Sequence, residues 1–271
     1  MSAVDRAGAW TAAEPPSISF QLAHLDGASW ERGTGTLAAL ELRDLRLGAA
    51  SNGALGAWHL RVAADAVEPE LAQGAHGLDF QFLYLIAGEA EIEHADGFTV
   101  SLVSSDAAML SAGLSHRARL SGDFEAIVFT APAHPQTPSA GGGWSDDGPP
   151  RYLTDGEQAF ERRGLRSFFE YRDLGTDEPT AGRVHANVLR ALEPQEAGTG
   201  WHFHSMGQLV FVLSGVAEVN VAGHGHIITG AGDSMCVGAG IAHNVHSFTA
   251  DYSLIEFCIP SEYDTVAVEL V

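Results

Sequence analysis

The sequence predicts an all-β chain made of two tandem units of the antiparallel sandwich or jelly-roll kind, and three observations carry that prediction. Short segments rich in Val, Ile, Phe and Tyr recur about every ten residues, among them QFLYLIAG, FTVSLV, EAIVFTAP, LVFVLSG, AEVNVAG, HGHIITG and YSLIEFCIP. Gly and Asp punctuate them, as they do in antiparallel sandwiches and jelly rolls. Sustained helical periodicity is absent. The third observation is that the chain repeats itself.

Asp233, Gly240 and His243 in GDSMCVGAGIAH match Asp106, Gly113 and His116 in SDAAMLSAGLSH at a constant offset of 127. The same offset carries Gly215 onto Gly88 and Gln208 onto Gln81. FEYRDLG around Arg172 matches LELRDLR around Arg43 at 129, and DYSLIEFCIP from Asp251 matches DFEAIVFTAP from Asp123 at 128. A drift of one or two residues is what loop insertions leave in a duplicated domain, and four matches in order exceed chance. Two units follow, residues 37–132 and 168–271. Between them, residues 133–167 form a linker whose first part is rich in Pro, Gly, Ser and Asp. Its later part, DGEQAFERRG, predicts a short helix with Asp155 as N-cap and Gly164 as stop. Residues 1–36 find no counterpart in the second half and are expected to form an N-terminal arm.

Composition narrows the function classes. The formal charge is −21, and every one of the 14 basic residues is Arg. The absence of Lys excludes a lysine nucleophile or Schiff base. The acidic balance argues against nucleic acid and anionic membrane surfaces, both of which attract basic patches. Apolar runs such as Leu209 to Leu213 are far too short to span a membrane, and MSAVDRAGAW carries no apolar leader core. A soluble, cytoplasmic protein is expected. Cys236 and Cys258 lie in apolar segments and are expected to be buried, reduced thiols.

The informative stretch runs from Gly200 to Gly215 and resumes from Gly232 to His243. Side chains alternate along a strand, so His202, His204, Met206 and Gln208 can share one face. Two imidazoles at i and i+2 can chelate one ion if that face lines a barrel. Gln208 can add an amide oxygen, and His243 can close the set from a distant strand. Imidazole suits Mn, Fe, Co, Ni, Cu and Zn, and the amide oxygen excludes none of them.

These segments resemble the paired motifs of the cupin superfamily, G-x5-H-x-H-x3,4-E-x6-G and G-x5-P-x-G-x2-H-x3-N. His202, His204, Gln208 and Gly215 fall on the HxH, acid and closing Gly positions of the first. Gly232, Gly238, Gly240, His243 and Ser247 fall on the second. Gln208 replaces the usual Glu, Gly238 replaces Pro and Ser247 replaces Asn. The resemblance covers both units and is strongest in the second, so a bicupin is expected: two tandem double-stranded β-helix barrels, the C-terminal one holding one divalent transition metal (Mn, Fe, Ni, Co or Zn). A neutral Gln leaves the charge of such an ion uncompensated and favours anionic or enolate-like ligands.

The N-terminal unit keeps Gln81 and His116. An offset of 127 places Ala75 and Gly77 where the histidine pair stands, with His76 one residue out of register. That barrel is expected to be metal-free, either structural or a small-molecule pocket. A lone HxH on a strand is commonly two surface histidines; here the Gln, the Gly and the downstream Gly-Asp…Gly…His segment accompany it. His246 should face away from the ion, and His224 and His226 should lie exposed on a Gly-rich hairpin. His185 in VHANVLRA is a candidate to face the pocket behind the ligands, its inward or outward register left open by the sequence. The Arg43/Asp44 and Arg172/Asp173 pairs recur in both halves and read as structural, and Glu91 and Glu218 as solvent-facing acids.

The resemblance implies a metal-dependent small-molecule enzyme whose substrate coordinates the metal through oxygen, with a dioxygenase as the first expectation. Lyase, isomerase or cyclase chemistry is the alternative, as is a non-catalytic sensor or storage cupin. A homodimer is compatible with the resemblance. No catalytic acid or base is identifiable from the sequence.

Overall fold

The computed structural model describes residues 10–67, 69–133, 150–154, 159–162, 166–196 and 198–269. Each half forms two antiparallel sheets that face one another. In the first half the larger sheet runs, edge to edge, Arg151–Leu153, Ala107–Leu110, Phe80–Ala87, Glu125–Ala131, Gly56–Val62, Leu40–Asp44 and Glu31–Arg32. Opposite it stand Glu70–Gly74, His116–Leu120, Glu89–His94 and Thr99–Val103. The second half repeats the order: Gln21–Ala23, Ser234–Val237, Gly207–Ser214, Ser253–Ile259, His185–Ala191 and Phe169–Asp173 face Gly225–Gly230, Val216–Val221, His243–Phe248, His202–His204 and Thr265–Ala267. The all-β, two-barrel prediction is borne out.

The repeat holds in backbone detail. Gly88 and Gly215 both sit at φ +73°, where a Cβ would come within 2.7 Å of the backbone of Phe124 or Tyr252. Only glycine satisfies both the left-handed conformation and that approach.

The two edge strands come from outside the units. Gln21–Ala23, in the N-terminal arm, pairs with Ser234–Val237 of the C-terminal barrel. Arg151–Leu153, in the linker, pairs with Ala107–Leu110 of the N-terminal barrel. The two are equivalent, because Leu22 opposes Met235 and Tyr152 opposes Ala108, which are 127 residues apart. Likewise Glu31 opposes Leu42 while Glu161 bridges Tyr171. The arm therefore has a structural counterpart in the linker, which sequence comparison misses because backbone hydrogen bonds make these strands and their side chains differ. Asp155 and Gly164 lie outside the described residues; Glu161, between them, is in an extended bridge.

The larger sheets of the two barrels pack face to face. Phe80, Phe82, Ile127 and Phe129 of one meet Val188, Phe211, Ile255 and Phe257 of the other in one core cluster. Phe129 stacks on Phe257 with ring centroids 4.6 Å apart. The repeated arginines clasp this interface reciprocally. Arg172 donates to the Ser105 carbonyl at 2.8 Å, and Arg43 donates to the Gly232 carbonyl. Ser105 and Gly232 are themselves equivalent turn residues, so each barrel's buried Arg grips the same turn of the other, as a two-fold interface requires. The structural reading of these arginines fits their placement.

Candidate metal centre

The C-terminal barrel encloses a cavity of about 490 Å³ between its two sheets. His202, His204, Gln208 and His243 all line it. The sequence reading of one continuous strand from His202 to Gln208 needs correction. The chain breaks at Ser205 and Met206, and His202–His204 and Gly207–Ser214 belong to opposite sheets. Ser205 anchors that corner, donating its amide to the Asp264 carbonyl at 3.0 Å and accepting the Asp264 amide at 2.8 Å on its hydroxyl. Crossing between sheets lets the histidines approach from one wall and Gln208 from the other. Met206 is buried in the corner and does not line the cavity.

His202 lies opposite His243 in the strand ladder, their ring centroids 4.5 Å apart, and His204 is 5.0 and 5.2 Å from the two. One donor atom from each ring fits within a mutual distance of 4.8 Å. The Nδ1 of His202 donates to the Gly200 carbonyl at 2.7 Å, and that of His243 to the Ile241 carbonyl at 3.0 Å. A carbonyl only accepts, so both rings carry their proton on Nδ1 and present an unprotonated Nε2. The Nδ1 of His204 is held by the Thr265 hydroxyl at 2.9 Å. Burial is the main cause that lowers all three pKa values, His204 to about 3 and His243 to about 4. The rings are neutral at neutral pH and need lose no proton to bind a cation.

The Oε1 of Gln208 is buried with no hydrogen-bond partner among the described residues. Such an orphaned oxygen is costly unless something occupies its lone pairs. Three convergent imidazole nitrogens beside one unsatisfied amide oxygen fit a divalent metal.

The cavity also contains groups the sequence reading did not single out. Glu256 faces it from Ser253–Ile259, two residues along from Cys258, which lies opposite Gln208. Burial raises its carboxyl from an ordinary 4.5 to about 7. Cys258 and Tyr263 are its near neighbours, and Tyr263, partly exposed, lines the cavity too. At the equivalent position the N-terminal barrel has Val128, opposite Leu83 as Glu256 is opposite Val210. A lone acid on the inward register of an apolar strand, with an apolar residue in the repeat, was the signal available in sequence. Arg166 lines the cavity too, its guanidinium 3.5 Å from the Nδ1 of His202. Because that nitrogen's proton already goes to Gly200, the arginine is a nearby positive charge rather than a second hydrogen bond.

His185 lines the cavity, its Nδ1 4.0 Å from the Asp173 carboxylate. His246 is exposed. His224 and His226 are exposed on the hairpin, His224 stacked on Phe20 and His226 bonded to Glu218 at 3.1 Å. Cys236 and Cys258 are free and buried.

One register expectation in the N-terminal barrel is overturned. His116 opposes Gly74 as His243 opposes His202, so His76 occupies the position of His204, not the opposite face. One additional residue between His76 and Gln81 shifts the offset to 128 there. His76 nevertheless turns its Nε2 to the Leu110 carbonyl at 3.1 Å.

The chain is thus two jelly-roll barrels, related by duplication and fused through their larger sheets, with a three-histidine cluster in one of them. Residues 188–255 match the family model of the cupin domain. The whole fold is similar to the crystal structure of protein YlbA from E. coli, at 14% identity and a TM-score of 0.65 over 98% of both chains. It is also similar to Bacillus subtilis oxalate decarboxylase, at 14% identity and 0.65, covering 91% of this chain and 79% of that one. Lactobacillus farciminis oxalate decarboxylase in a formate complex aligns at 13% identity and 0.64, covering 93% and 89%. No curated protein matches the sequence. By sequence, residues 188–255 carry a cupin domain, and the whole chain shares the two-barrel fold of these structures.

Proposed function

We propose that the C-terminal barrel is the active site of a metal-dependent enzyme that moves a proton on a small anionic substrate. His202, His204, His243 and Gln208 would hold the divalent ion. When bound, the ion supplies Lewis-acid polarisation of a substrate oxygen. All four ligands are neutral, so its charge remains uncompensated, and Arg166 adds to the positive potential at one wall. A carboxylate or enolisable oxygen acid suits such a site, and a neutral ligand gains less from it.

Glu256 carries the proton-transfer reading. A carboxyl poised near neutrality can take a proton from a substrate carbon or oxygen and return it elsewhere. Tyr263 lines the cavity near it, and Asn187 lies opposite it in the ladder and lines the same cavity. The apolar wall of Val210, Val212, Leu189 and Leu254 keeps this end of the cavity poor in water. Lyase or isomerase chemistry follows more directly from these groups than dioxygenation does.

The test is a panel of small hydroxy and keto acids, offered to protein loaded in turn with Mn, Fe, Co, Ni and Zn, with dioxygen uptake recorded. Turnover without uptake, reduced at least 100-fold in Glu256→Gln at unchanged metal content, is the expected outcome. Stoichiometric dioxygen consumption that ignores the Glu256 substitution would favour a dioxygenase. Metal binding without turnover of any substrate would favour a sensor or storage protein.

A further inference from the structure

The N-terminal barrel has its own interior, a cavity of about 390 Å³. Leu40, Leu60, Leu83, Ile92, Leu120 and Val128 make up much of its wall. Among the described residues lining it there is no Arg, Asp or Glu. Its polar side chains are His76, Gln81 and His116, on the positions that correspond to the metal ligands, and Thr36.

These groups are arranged for a different task. The Nδ1 of His116 donates to the Leu114 carbonyl at 3.0 Å, as His243 does to Ile241, so its Nε2 is an acceptor without a partner among the described residues. The Gln81 amide lines the cavity, and no side-chain hydrogen bond to it is found among the described residues. His76 has turned its Nε2 to Leu110 and withdrawn from the shared point where an ion would sit. Position 74, where the C-terminal barrel has His202, is glycine. What remains is a mainly apolar chamber whose polar groups are the Nε2 of His116, the Gln81 amide, the Thr36 hydroxyl and the Nδ1 of His76, which is buried with no hydrogen-bond partner among the described residues. Burial lowers the pKa of both histidines, His76 to about 4, so the chamber is uncharged at neutral pH.

We propose that this barrel binds a neutral small molecule with an apolar body and a hydroxyl head. The hydroxyl would donate to the Nε2 of His116 and accept from the Gln81 amide, while the aliphatic wall takes the body. The volume suits a molecule of that kind, since ligand cavities begin at about 300 Å³. An anion or cation of the same length would lose its hydration with no opposite charge to meet it. The duplication has thus left one barrel for a charged, metal-held ligand and one for an uncharged ligand.

The test is calorimetric titration of the metal-loaded full chain with 1-octanol, and with octanoate and octylamine as ions of matched length. One equivalent of 1-octanol, bound at least tenfold more tightly than either ion, is expected. Gln81→Leu should weaken it about three- to tenfold, the effect of one lost hydrogen bond. Ala118→Phe should abolish it by filling the chamber, with metal content unchanged, and His202→Ala should leave it intact. Should Ala118→Phe fail to fold, the Gln81→Leu result decides alone. No binding of 1-octanol, equal binding of all three probes, binding lost in His202→Ala, or a second metal ion held by His116 would overturn the proposal.

Discussion

Glu256→Gln in the metal-free protein offers a stability test that needs no substrate. The carboxyl has its folded pKa raised from 4.5 to about 7, chiefly by burial. The folded state therefore binds the proton more tightly than the unfolded chain, and stability falls as pH rises between those values. Below pH 4.5 both states are protonated and the carboxyl costs nothing. Above pH 7 the charged form costs the fold about 3 kcal/mol, an upper figure because the side chain is only partly buried. Glutamine keeps the volume and removes the charge. In chelator-treated protein, Glu256→Gln should melt several degrees higher than wild type at pH 8, at about 2–4 °C per kcal/mol for a chain of this size. At pH 4.5 the two should melt together. A gap that is equal at both pH values, or no gap at pH 8, would refute the placement of a poised carboxyl in the cavity.

Other perturbations probe separate parts of the structure. Gly215→Ala should destabilise by about 2–4 kcal/mol in chemical denaturation, because a Cβ there would lie 2.6 Å from the Tyr252 Cα at a left-handed φ. Gly88→Ala should behave alike in the other barrel. Arg172→Met keeps an apolar stem but loses the bond to Ser105, and should cost about 1–3 kcal/mol by the same assay. Thr265→Val removes the partner of the His204 Nδ1 and should weaken metal affinity about 10- to 100-fold, read by competition with a chelator, while saturating stoichiometry is kept.

Much of the fold was legible because the duplication wrote it twice. Gly88 and Gly215, Asp106 and Asp233, and Arg43 and Arg172 are fixed by local geometry that tolerates few alternatives, so they persist in both halves. His202, His204, Gln208 and His243 were found by spacing, and the structure brings all four to one cavity. The exchanged edge strands left no trace in sequence, since Gln21–Ala23 and Arg151–Leu153 are recognised through backbone pairing. The position of His76 was misjudged because a gapless offset cannot see one inserted residue, and in a strand one residue reverses the face. Glu256 was hidden in an apolar run whose average hydrophobicity concealed the single inward acid.

The metal count per chain tests the central claim most directly. Protein purified without a histidine tag would be analysed by elemental mass spectrometry, beside His202→Ala and His116→Ala. About one ion per chain, lost in His202→Ala and kept in His116→Ala, is the predicted result. No ion in the wild type after reconstitution with Mn, Fe, Co, Ni and Zn, or retention of the ion in His202→Ala, would contradict it.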